Sequence, residues 1–261
     1  MPGPEHDDLA LLIDAAHSAG EIARHYFRRD PQVWDKGVDD PVTEADLAID
    51  TMLRETLLAA RPNYGWLSEE TEDSTARLSS EYVFICDPID GTRAFIEGGK
   101  SFAHSLAVAR GGQVTAAAIY LPVREKLYAA ALGHGAELNG MPVSVRPAVA
   151  LDQSEVLTTK PNMDPRHWPH GTPPVKRAYR PSLAYRMSLV GEGRFDAMMT
   201  FRPTWEWDIA AGALIIAEAG GAVSDGTGKA LRFNNATPQV DGLIAGATDV
   251  HRDLVRLRGS A

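Results

Sequence analysis

The chain predicts a mixed α/β protein whose first half, residues 1–140, is α+β and whose second half, residues 141–261, is α/β. Three observations lead there. Two helical patterns open the chain and a run of short strand patterns with hairpin turns follows them. Beyond residue 140, strand and helix patterns alternate, as in a layered α/β unit. Hydrophobic residues are 44% and charged residues 23% of the 261, which is ordinary for a globular chain that can bury a sizeable core.

The first helix is expected from about Asp7 to Arg29. Leu9, Ile13, Ala16, Gly20, Ala23 and Phe27 recur at three- and four-residue spacing, and Asp30-Pro31 ends the pattern. Thr43 can cap a second helix from Glu44 to about Ala60, closed by Arg61-Pro62-Asn63. Strands follow at Gly65–Ser68 and Tyr82–Cys86. Residues 101–120 read as two strands around a Gly111-Gly112 hairpin turn, and Lys126–Ala131 and Ala136–Val145 as two more around Gly133 and Gly135. In the second half, Val156–Thr159 reads as a strand and PNMDPRHWPHGTPP as a long surface loop. Ser182–Glu192 is a helix ended by Gly193, Phe195–Met199 a strand, and Asp208–Ala219 an apolar helix ended by Gly220-Gly221. There is no internal repeat and no low-complexity tract.

Charge and composition narrow the function. With 35 acidic and 26 basic residues the formal charge is −9, so a general basic field for nucleic acid is not expected. The single cysteine, Cys86, cannot form a disulfide within the chain. The start MPGPEHDD lacks the basic and apolar regions of a signal peptide. No run approaches the roughly 20 apolar residues that span a bilayer. The expectation is a soluble, cytoplasmic protein without membrane partners.

The chemistry gathers in four acidic features: Asp46 in PVTEAD, Glu69-Glu70 in WLSEET, Asp87 and Asp90 in CDPIDGT, and Asp208 in WEWDIA. Each has a plain structural reading. Asp46 can complete a capping box with Thr43, Glu69 and Glu70 can be solvated, Asp-Pro and Asp-Gly are common turn pairs, and Asp208 can start a helix. Three of the four terminate or follow apolar elements, where one end of a sheet would collect them. Hard divalent cations such as Mg²⁺ take carboxylates, a backbone carbonyl and water, and no His/Cys cluster of zinc spacing competes. Gly91 and Thr92 would open the next helix, whose free N–H groups favour an anion such as phosphate. Carboxylates, a divalent cation and a helix N-terminus are the parts of metal-assisted phosphate hydrolysis.

CDPIDGTRAF resembles the DPxDGT signature of the inositol monophosphatase superfamily. WEWDIAAGALIIAEAGG resembles its second signature, WDxAAG…EAGG, and SEE and VTEAD stand at the matching places upstream. The resemblance spans nearly the whole chain. It implies a layered αβαβα sandwich, Mg²⁺ dependence with two or three ions, Li⁺ sensitivity and a homodimer. It matches Glu69, Asp87, Asp90, Asp208 and the Ile89 carbonyl to the metal ligands, with Glu70 the lesser of its pair. Thr92 matches the residue that helps activate the attacking water, with Asp46 as its acidic partner and Asp90 completing the catalytic set. The Gly91 and Thr92 amides match phosphate contacts. Most metal ligands then fall in 1–140, and the last aspartate with the specificity residues in 141–261.

The branch implied is the CysQ-type 3′(2′),5′-bisphosphate nucleotidase, which hydrolyses adenosine 3′,5′-bisphosphate to AMP and phosphate. Glu206-Trp207-Asp208 resembles its EWD, and Ser182-Leu183-Ala184-Tyr185-Arg186 resembles its counterpart segment, so Glu206 and Arg186 are expected on the substrate. Arginine suits a second phosphate. Inositol monophosphatases carry a hydroxyl-binding glutamate seven residues before the last aspartate, where this chain has Phe201 followed by Arg202. Ala94 departs in turn from the glutamate of many CysQ-type DGTxEF segments. Inositol-1-monophosphatase is the alternative. Fructose-1,6-bisphosphatase and histidinol-phosphate phosphatase are more distant, and a regulatory RNA- or protein-binding member of the fold is the non-enzyme alternative. His104 reads as a strand histidine, Cys86 as a small buried residue, and Lys36 as a loop residue able to approach the site. Trp205 and Trp207 fit either a pocket border or a core.

Overall fold

A computed structural model describes residues 4–37, 40–147 and 149–259. Both expected opening helices form, the first starting and ending three residues before the expected Asp7 and Arg29. Helix α1 runs Pro4–Tyr26; after it the ribbon β1 (Val33–Gly37) and β2 (Asp40–Thr43) leads into α2 (Glu44–Ala60). Thr43 and Asp46 do build the capping box at the start of α2. The apolar stripes of both helices pack together on one face of a seven-stranded sheet.

That sheet comprises β3 (Gly65–Ser68), β4 (Tyr82–Asp90), β5 (Ala103–Arg110), β6 (Gln113–Leu121), β7 (Lys126–Ala131), β8 (Ala136–Leu138) and β9 (Met141–Val143), paired in chain order. Only β3 and β4 run parallel; the remaining pairs are antiparallel. Side chains alternate across it. Phe84, Cys86, Leu106 and Ala118 face α1 and α2, while Val83, Ile85, Ala107 and Ile119 face the opposite core. Both faces are covered, so these strands read as continuous apolar runs. The single strand expected over Ala136–Val145 is instead a hairpin, β8 and β9, turning at Asn139-Gly140.

Helix α3 (Thr92–Ile96) is one short turn after β4. The rest of the chain adds a five-stranded sheet in the order β11-β10-β12-β14-β13, from β10 (Glu155–Leu157), β11 (Lys176–Ala178), β12 (Ala197–Trp205), β13 (Gly221–Ser224) and β14 (Gln239–Ala247). Helices α4 (Leu183–Gly191) and α5 (Glu206–Glu218) lie between the two sheets and share one core with both. They approach so closely that a Cβ on Gly212 would sit 2.6 Å from the Met187 Cβ. Helix α6 (Thr248–Arg258) covers the outer face of the smaller sheet through Val250 and Leu254. The five layers are therefore helix, sheet, helix, sheet, helix. Six elements go beyond the sequence expectation: β1, β2, β11, β13, β14 and α6. The loop 161–174 is also less free than expected. It contains two short 3-10 turns, and its Trp168 is buried against β12 with the indole N–H on the Asn162 carbonyl. Among the described residues no helix is long and apolar enough to cross a membrane.

Candidate active site

Strands β3 and β4 run parallel and pair Ser68 with Cys86, so Glu69, just past β3, and Asp87, within β4, emerge side by side. Asp87 and Asp90 are three residues apart and would face opposite ways along a regular strand. The β4–β5 register slips by one residue between them, as Asp87 pairs with Ser105 and Asp90 with Ala103. This bulge brings both carboxylates to the same cavity. Fully buried His104 reaches the Pro88 carbonyl with Nδ1 and fastens the bulge from behind. Helix α5 contributes Asp208 from its first turn, two residues inside the helix start rather than at it.

Carboxylate oxygens of Glu69, Asp87 and Asp208 lie within 4.8 Å of one another. Burial, and then repulsion from Glu69 and Asp90, pushes the Asp87 and Asp208 carboxyls well above the ordinary range. Among the described residues, neither oxygen of buried Asp87 has a hydrogen-bond partner. Lys36 Nζ pairs with Glu69 at 3.0 Å and Glu70 at 2.9 Å. Burial raises the Glu70 carboxyl to about 7, with Glu69 adding to it. Crowded, all-oxygen acidic groups with unpartnered lone pairs fit a hard divalent cation.

Asp90 lines the same cavity with one oxygen already engaged. Its Oδ2 accepts the Ser182 hydroxyl at 2.5 Å and the Ala184 N–H at 2.6 Å, at the start of α4. Burial raises this carboxyl, and those hydrogen bonds and Arg186 oppose the rise. Gly91 is left-handed at φ +98°, which glycine tolerates, and it starts α3 immediately after Asp90. Thr92 Oγ1 lies 3.1 Å from the Ile89 carbonyl and 3.3 Å from Asp46 Oδ1. The other Asp46 oxygen holds the capping box. Burial raises Asp46 to about 6 against the Thr43 hydrogen bonds.

The cavity measures about 760 Å³ and its farther wall is basic and aromatic. Arg186 is 7% exposed, its guanidinium lies 5.1 Å over the Tyr179 ring, and its Nε has no partner. Exposed Arg202 lines the same wall, with Trp205 stacked on Trp207 at 4.7 Å. Phe201 points away, against His167, Trp168 and Arg258. Glu206 corrects the sequence expectation. It is 0% exposed and does not line the cavity. Its carboxylate accepts the Asn234 N–H at 2.6 Å, the Asn235 N–H at 3.0 Å and the Asn235 side-chain amide at 2.7 Å, so it anchors a loop instead of reaching substrate. Ser182 and Tyr179 were not singled out by the sequence reading. Ser182 carries a signal all the same, as a serine preceding a helix.

A model of the inositol monophosphatase family matches residues 6–259. The chain belongs to this family. It is 34% identical over 232 residues to the inositol-1-monophosphatase of Rhizobium meliloti, covering 84% of this chain and 86% of that protein. It is 30% identical over 262 residues to the histidinol-phosphatase of Chlorobaculum parvum, covering 97% of each. Among solved structures, the suhB extragenic suppressor protein of Bartonella henselae superposes with a TM-score of 0.82 at 28% identity, over 97% of this chain and 98% of that one. The family and its named phosphatases make this chain a phosphoric monoester hydrolase, acting through the layered fold described above.

Proposed function

We propose that the chain is a Mg²⁺-dependent 3′(2′),5′-bisphosphate nucleotidase that removes one phosphate from adenosine 3′,5′-bisphosphate. The observation that carries this reading is Arg186, a buried guanidinium with an unpartnered Nε in the cavity wall. A buried cation of this kind calls for an anion beyond the phosphate being cleaved. Trp205 and Trp207 beside it suit a flat ring.

In this reading Glu69, Asp87, Asp90, Asp208 and the Ile89 carbonyl hold two or three Mg²⁺ ions. Bound Mg²⁺ acidifies a water and neutralises charge on the departing oxygen. Thr92 orients that water and passes its proton toward Asp46, whose carboxyl at about 6 is placed to accept one near neutral pH. The Gly91 and Thr92 amides hold the phosphoryl oxygens at the start of α3. Water oxygen joins phosphorus as the ester P–O bond breaks, and the ester oxygen leaves as an alkoxide that takes its proton from solvent. Residues 1–140 contribute most of the cation ligands and 141–261 contribute Asp208 and Arg186. A homodimer belongs to the same proposal by family analogy.

Inositol 1-phosphate is the second reading, favoured by the resemblance to the Rhizobium meliloti inositol-1-monophosphatase. The two are separated by kcat/KM with Mg²⁺ for adenosine 3′,5′-bisphosphate and for inositol 1-phosphate, on wild type and Arg186→Ala. The nucleotide is expected to be preferred, and Arg186→Ala to lower its kcat/KM roughly a hundredfold while changing inositol 1-phosphate little. Preference for inositol phosphate, or equal loss on both substrates, would overturn the nucleotide assignment.

A further inference from the structure

The turn that presents Glu69 is tied on both flanks to one buried carboxylate on another element. Ser68, the last residue of β3, donates its hydroxyl to Asp50 Oδ1 at 2.5 Å. Thr71, just past Glu70, donates to Asp50 Oδ2 at 2.6 Å. Thr71 Oγ1 also accepts the Trp66 indole N–H at 3.1 Å, which holds that hydroxyl with its proton toward Asp50. By contrast, the Glu69 amide reaches the Cys86 carbonyl only at 3.3 Å. Asp50 is 7% exposed and lies outside both the cavity wall and the three-carboxylate cluster.

Burial and Asp90 disfavour the charged Glu69 carboxylate and Asp87 and Asp208 crowd it, while Lys36 at 3.0 Å attracts it, so where Glu69 sits depends on how its turn is tethered. Two short hydrogen bonds to one buried carboxyl group are strong enough to fix that turn. Asp50 also stands four residues after Asp46 on α2. A helix returns to the same face after that interval, so one face of α2 carries the carboxylate at Thr92 and the carboxylate behind Glu69.

We infer that Asp50 is a positioning residue: it holds Glu69 in place for the divalent cation and locks that ligand to the helix that carries Asp46. This rests on the reading of Glu69 as a cation ligand. The test is Mg²⁺ binding to the substrate-free protein by calorimetry, for wild type, Asp50→Ala, Asp50→Asn and Thr71→Val, with the thermal midpoint of each metal-free protein. Removing a group that orients a metal ligand typically costs about 10- to 100-fold in affinity. Asp50→Ala is expected at that level and Thr71→Val at about threefold, since it removes one arm. Asp50→Asn should fall between, because it keeps an acceptor for Ser68. At saturating Mg²⁺ the variants should regain kcat to within about threefold of wild type, since Asp50 does not touch the reacting atoms. A merely structural Asp50 would lower the thermal midpoint and leave Mg²⁺ affinity unchanged in the folded Asn and Val variants, which would overturn the inference. If Asp50→Ala does not fold, Thr71→Val decides alone. Wild type that binds no Mg²⁺ would remove the cation reading and this inference together; wild-type binding with unchanged variants removes the inference only.

Discussion

Asp46 has two hydrogen-bonding duties, one for each carboxylate oxygen. One oxygen closes the capping box of α2 and the other faces Thr92. The structural and the chemical reading of this residue therefore hold together, which spacing alone could not reveal. Asp90 is similar, since its Oδ2 is held by Ser182 and Ala184. Asp90→Asn keeps an acceptor for those donors, so it should leave the thermal midpoint nearly unchanged while lowering kcat/KM by about 10³-fold; a mutant retaining most activity under saturating Mg²⁺ would remove Asp90 from the machinery. Glu206→Gln should do the reverse, lowering thermal stability by about 1–3 kcal/mol with KM unchanged, as thermal unfolding and steady-state kinetics would read. The acidic motifs were legible because three of the four terminate or follow apolar elements and the other, Asp46, stands at a helix start. Glu206 misled because its partners, Asn234 and Asn235, lie 28 and 29 positions away, where no local pattern connects them. Asp50 went unnoticed for the same reason: its partners are 18 and 21 positions off, on another element.

Element boundaries were readable where a chemical stop is present and not elsewhere. Helix α2 ends at Ala60, as the Arg61-Pro62 pair after it suggests, and β3 and β7 match their expected ranges. Strand β14 was missed because QVDGLIAGA is rich in glycine and alanine, which carry little strand preference; pairing on both sides with β12 and β13 overrides it. Helix α6 is amphipathic and short, and it gains its place from the outer face of that sheet. The contact between α4 and α5 is the element on which both halves of the site depend, since α4 holds Asp90 and α5 carries Asp208. Gly212→Val should force these helices apart, costing about 1–3 kcal/mol of stability. Activity should fall more than the unfolded fraction explains, because both carboxylates shift. Denaturant unfolding and kcat on the folded protein would separate the two effects.

At the level of the whole molecule, the site is a concentration of negative charge that the fold must tolerate. A carboxyl raised by folding stabilises the protein fully below its unfolded pKa, and that contribution is lost as pH rises through the folded value. Asp46 near 6, Glu70 near 7, and Asp87 and Asp208, both pushed well above the ordinary carboxylate range by burial, all act in this direction. His104 acts oppositely. Burial lowers it from 6.5 to about 4, so its contribution is complete above 6.5 and is lost as pH falls toward 4. The two trends oppose each other in mild acid and leave the carboxyls alone above 6.5. The metal-free protein should therefore lose thermal stability as pH rises from 6.5 to about 8. Saturating Mg²⁺ should raise the midpoint and flatten that slope. A metal-free midpoint that rises over the same range would contradict the burial of the cluster.

Cys86 immediately precedes Asp87 on β4, is fully buried, and its thiol is pushed up by that burial. As the chain's one sulfhydryl, it doubles as a stopwatch. An alkylating reagent can reach it only when the strand that presents the aspartates parts from its neighbours, so labelling counts openings of that strand one molecule at a time.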